Sequence, residues 1–144
     1  MNNKVIIITM IAYCIASEKC FAQIFDSVHI YALHINTSYY IKIDKDLIKN
    51  EVDPIVLTDQ HQINAIYLVL RDTIKNGKAK KLENNHLDIR LSFEFFKRNK
   101  VIQVVGVTPY NTMFINYTLY VYDRQRLKYL DRYIPELSKK IGVN

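Results

Sequence analysis

The chain has 144 residues, 49% hydrophobic and 24% charged, with 20 basic against 14 acidic side chains and a net charge of +6. That balance fits one globular domain. Three glycines and three prolines exclude collagen-like and low-complexity chains and leave no glycine-rich loop to cradle a phosphate.

The first 22 residues read as a signal peptide. A short basic lead ends at Lys4, residues 5–16 are apolar, and Cys20 and Ala22 supply the small residues before a cut that makes Gln23 the new N-terminus. The apolar run is too short to span a bilayer, so no transmembrane segment is expected after cleavage. Both cysteines, Cys14 and Cys20, lie in this segment. The remaining chain, 23–144, is then a single α+β domain without disulfides, thiol nucleophile or thiolate metal site. Such an exported, cysteine-free domain suits a bacterial periplasm or cell surface. Losing Lys4, Lys19 and Glu18 lowers the net charge from +6 to +5, which favours an acidic partner; export argues against nucleic acid.

Residues 28–35 form the first expected strand. Asn36-Thr37-Ser38 is a turn, and residues 39–43 are a second strand completing a hairpin. Asp44-Lys45-Asp46 resembles the Asp-x-Asp loop of haloacid-dehalogenase-type phosphatases in its two carboxylates alone. The Thr expected next is Leu47, and no doubly wound parallel sheet can be drawn from this chain, so the reading kept is a solvated turn. Residues 47–52 suggest a short helical turn, ended by Asp53-Pro54.

A clear helix follows. Asp59 caps it with Gln62 three residues on; Ile63, Ile66, Tyr67, Leu70 and Ile74 keep helical spacing; Gly77 stops it. Leu87, Ile89, Leu91, Phe93 and Phe95 then alternate with Asp88, Arg90, Ser92 and Glu94, the period of a strand packed on one side and wet on the other. A polar turn at 97–100 leads to 101–107, apolar at almost every position and expected to be central and buried on both faces. After a turn at 108–111 comes an aromatic-rich strand that Asn116-Tyr117 could split in two. A last helix starts at the cap Asp123, carries the stripe Leu127, Leu130, Ile134, Leu137 and Ile141, and is kinked or restarted at Pro135. The order is β-β-α-β-β-β-α. That predicts a largely antiparallel sheet of about five strands with two helices on one face, the other face open or partly covered.

No nucleophile elbow or His-Glu metal motif is present. His29 and His34, five apart on one strand, point to opposite faces and cannot share an ion there. The reading is therefore a non-enzymatic protein without cofactor or metal. The row Arg90–Glu94 and the last helix offer its binding residues. Arg124, Lys128 and Arg132 recur every four residues, with Tyr129 and Tyr133 beside them, types favoured at interface centres. The expected function is recognition of a protein partner with an acidic surface, in concrete form an immunity protein that plugs a bacterial toxin. The rivals are a small-ligand or envelope-binding periplasmic module and, behind it, a small hydrolase.

Overall fold

The computed structural model describes residues 25–39, 41–74, 80–81, 87–116 and 118–143. Residues 1–22, expected as a signal peptide, the expected helix stop at Gly77, His86 and Tyr117 lie outside them. The elements are β1 (Ser27–Ala32), α1 (Leu47–Glu51), β2 (Ile55–Leu57), α2 (Gln60–Asp72), β3 (Lys80–Lys81), β4 (Leu91–Lys97), β5 (Lys100–Val107), β6 (Thr112–Ile115), β7 (Thr118–Val121), a 3₁₀ helix (Arg124–Arg132) and α3 (Leu137–Ile141). They form one α+β unit. Its sheet runs β2-β1-β4-β5-β6-β7-β3, with every neighbouring pair antiparallel. Six strands have three or more residues; the two-residue β3 adds an edge piece.

Alternation in β4 sets the layers. Leu91, Phe93 and Phe95 point to a core built with Val28 and Ile30 of β1, Val105 and Val107 of β5, and Met113 of β6. Ile63, Ile66 and Leu70 of α2, Leu127 and Leu130 of the 3₁₀ helix, and Leu137 and Ile141 of α3 close this core, so these three helices lie on one face. Each large aliphatic side chain buried there contributes roughly 1.5–3 kcal/mol. α2 begins where expected: the Asp59 side chain accepts from Gln62 N at 2.8 Å.

The opposite face carries a second core. Tyr31, Leu33, Ile43, Ile48, Ile89 and Phe114 are buried together, with Tyr39, Leu47 and Val52 packed on them. Residues 33–39 and 41–52 thus lie across the sheet as a flap. Among the described residues, Tyr39 and 41–43 are not in a strand, and the expected hairpin with β1 does not form. Both edges of β1 are taken, by β2 on one side and β4 on the other, which leaves no ladder for a further partner. Phe114 packs directly over Gly106 on the neighbouring strand, where an added methyl would fall inside the ring.

β5 is buried only in its second half. Val105, Gly106 and Val107 are inside, while Lys100, Val101 and Ile102 are exposed on a hairpin that outruns β6. The β4–β5 turn places both central residues, Arg98 (φ 49°) and Asn99 (φ 60°), in the left-handed region, as two-residue hairpin turns of the primed type require. Asn116 (φ 53°) splits the third strand into β6 and β7, as its sequence suggests.

The C-terminal segment departs from an α-helix. Arg124–Arg132 is a nine-residue 3₁₀ helix capped by Asp123, and Pro135 separates it from α3. Asp131 holds the joint, its carboxylate accepting from both the backbone N–H (2.7 Å) and the hydroxyl of Ser138. The chain then closes onto the loop after β1. Ile35 N donates to Ile141 O at 2.9 Å, and Gly142 (φ 73°) ends α3 against the His34 imidazole, where no β-carbon would fit.

Candidate binding surface

Two groups of side chains carry unusual chemistry, one on each side of the sheet. The first is the polar row of β4. Arg90 is 3% exposed and Glu94 4%, and Ser92 is fully buried. The wet face expected for this row is corrected: the flap covers it, and Arg90 and Glu94 are not available to a partner. Period-two alternation tells which side chains share a face, not what lies over them.

The buried charges are paired. Arg90 Nη2 lies 2.6 Å from Asp88 Oδ2, and the Tyr39 ring stacks over its guanidinium at 4.4 Å. Asp88 also accepts from Ile43 N at 3.0 Å, tying the flap to the sheet. Lys49 on α1 reaches Glu94 at 2.6 Å. Burial draws the Lys49 ammonium down, but its hydrogen bond and attraction to Glu94 outweigh this and its pKa is raised. Desolvation, and then the Glu94 charge, push the Tyr31 phenol up. Arg90 Nε and Nη1 and Ser92 Oγ have no hydrogen-bond partner among the described residues. The row is a fastening between flap and sheet, closed to solvent.

Asp44 shows what the Asp-x-Asp pair does locally. Its Oδ1 accepts from Asp46 N and Leu47 N, both at 2.9 Å, turning the chain into α1. Among the described residues no three His, Cys, Asp or Glu side chains converge as metal ligands. His29 stacks on Phe96 at 4.3 Å, and His34 Nδ1 accepts from Asn36 N.

The second group lies on the 3₁₀ helix. With three residues per turn, side chains three apart stand in one ridge. Arg124, Leu127, Leu130 and Tyr133 form the inward ridge, and Leu127 and Leu130 are fully buried. Gln125, Lys128 and Asp131 form an outer one. Arg126, Tyr129 and Arg132 form the third. It faces the C-terminal end of α2 across a cleft of about 210 Å³, lined by these three with Tyr133, Val69 and Asp72. The Arg132 guanidinium lies 5.8 Å from the Tyr129 ring centroid, and Arg126 Nη1 donates to Asp72 O at 2.8 Å.

This rearranges the expected set. Arg124, Lys128 and Arg132, spaced for one face of an α-helix, fall on three different ridges. Arg124 is spent on structure, donating to Asn36 Oδ1 at 2.7 Å. Lys128 is exposed outside the cleft, whereas Tyr129, Arg132 and Tyr133 come together at it. Arg126 enters as a residue the four-residue spacing missed; a period of three from Arg132 through Tyr129 finds it. Residues 124–143 hold six basic and two acidic side chains, a net +4, and one of those acids, Asp131, is bound to Ser138. In comparisons with protein-family models, curated proteins and solved structures, the chain matches none.

Proposed function

We propose that this chain is an exported, non-enzymatic binding protein that recognises an acidic surface of a protein partner through its C-terminal helical layer. The observation that carries the reading is the ridge Arg126–Tyr129–Arg132. It sets two guanidinium groups and an aromatic ring, 55% exposed at Tyr129, along an open cleft in the most basic part of the chain. Tyr and Arg bind through large, preorganised contacts, and a concentrated positive field speeds capture of an acidic partner. Export is supported by residues 1–22, whose basic lead, apolar run and small residues at Cys20 and Ala22 follow a signal-peptide pattern. An inhibitor that plugs a toxin, as immunity proteins do, is the form this reading takes most concretely. A basic docking ridge on a domain with two cores suits stable capture of one polypeptide.

The test is affinity capture from extracts of the encoding cells, with the chain from Gln23 as bait. One stoichiometric polypeptide is expected, lost with Arg126→Glu/Arg132→Glu and retained at low but not high salt. Capture that is indifferent to both changes would refute the reading.

A further inference from the structure

The β4–β5 hairpin ends in six consecutive exposed residues, 97–102. Three are cations (Lys97, Arg98, Lys100) and two are aliphatic, Val101 at 43% and Ile102 at 45% exposed. Neighbouring side chains on a regular strand face opposite ways. Here the register jumps, Val101 pairing with Phe96 and Gln103 with Phe95, so Ile102 is an extra residue that bends the strand. The bulge presents both aliphatic side chains beside the cationic turn. It also spoils the open edge of β5 as a template for another strand, which argues against an added peptide as the occupant.

The turn carries backbone strain. Its first central position, where glycine or asparagine is at ease, holds Arg98 at φ 49°. The tip also lies at the end of the sheet where residue 25 joins the domain. Phe25 stacks on Phe95, and the Asp26 carboxylate accepts from Arg98 N at 2.6 Å.

From this juxtaposition we propose that the hairpin tip docks on an anionic lipid surface, Arg98 and Lys100 against headgroup phosphates and Val101 and Ile102 entering the interfacial layer. Basic side chains near an anionic membrane surface are attracted to it, and buried apolar area adds to the electrostatic attraction. The surface is separate from the Arg126–Tyr129–Arg132 ridge, so the two readings can fail independently.

The described residues hold both cores, so the chain from Gln23 serves for the test. It is sedimented with vesicles of phosphatidylglycerol and phosphatidylethanolamine, and with phosphatidylcholine alone. Binding to the anionic vesicles only is expected, fading as salt rises. Lys100→Glu should lower the partition severalfold, as should Val101→Ser/Ile102→Ser, while Lys128→Glu/Arg132→Glu changes it little. Because the chain has no tryptophan, Ile102→Trp gives a clean second readout, its emission shifting to the blue on anionic vesicles while Tyr110→Trp, at the other end of β5, does not. Equal binding to neutral vesicles, no binding to anionic vesicles at low salt, or loss only with the Lys128/Arg132 variant would overturn the proposal.

Discussion

The guanidinium of Arg132 sits over the ring of Tyr129, three residues back on the 3₁₀ helix and 5.8 Å from its centroid. The contact follows from the three-residue turn, which stacks side chains at i and i+3. It fixes one arginine of the ridge in an orientation that also presents the Tyr129 face. Restoring an α-helical turn would break up the ridge and bring Arg124, Lys128 and Arg132 onto one side.

The ridge and its neighbours should therefore separate by function. Arg126→Glu and Arg132→Glu should each weaken partner capture at least tenfold, and Lys128→Glu, on the outer ridge, by much less. Arg124→Ala should leave capture intact and lower stability by about 1 kcal/mol through loss of its bond to Asn36. Binding assays beside denaturant melts check the split.

The flap fastening gives a second expectation. Lys49→Met leaves the Glu94 carboxylate buried without its counter-charge. The loss should be about 2 kcal/mol, less than for a fully buried pair because Lys49 is partly solvated. Lys49→Met/Glu94→Leu should recover most of it. Guanidinium melts of the three variants form the cycle, and a double variant as weak as Lys49→Met would show that the pair is not what holds α1 to β4.

Gly106 is required by Phe114 rather than by its own backbone, since its φ is not in the left-handed region. Gly106→Ala should cost about 1–3 kcal/mol as the ring is forced off its seat. Phe114→Leu in the same chain should return part of that. Thermal melts decide it.

At high pH, Tyr122 should dominate. Burial pushes its phenol up to about 12 from an ordinary 10.0, against the smaller opposing pull of Arg124, and its hydroxyl has no partner among the described residues. The folded state keeps the proton that the unfolded chain releases. The contribution is complete below pH 10 and lost as pH climbs toward 12. Lys49, also raised, acts in the same direction. Tyr122→Phe should flatten the alkaline limb of stability and change it by no more than about 1 kcal/mol at neutral pH.

Local signals in the sequence were strong where one residue decides one geometry. Asp59 caps α2, Asn116 splits the third strand, and Leu91, Phe93 and Phe95 alternate into the core. What was not legible is what covers what. The polar row Arg90–Ser92–Glu94 looks wet because part of the segment that follows β1, residues 39–43, reads as the second strand of a hairpin; β-rich composition says only that a segment fits a pleated, half-buried surface. With β1 already paired on both sides, that segment supplies Ile43 and Ile48 to a second core instead. In the last helix the cap Asp123, the apolar stripe and the restart after Pro135 were legible, and the three-residue turn was not. Leu127 and Leu130, three apart, satisfy both helical periods, so the stripe does not distinguish the tight form, which ends at the Asp131–Ser138 joint and Pro135. The same ambiguity hid Arg126.

The most direct test of the docking ridge places a photo-crosslinking phenylalanine at Tyr129 in one chain and at Lys45, on the flap, in another, and irradiates each with extract of the encoding cells. The account predicts one polypeptide joined at position 129 and none at 45. A product from position 45 alone, or the same product from both, would contradict it.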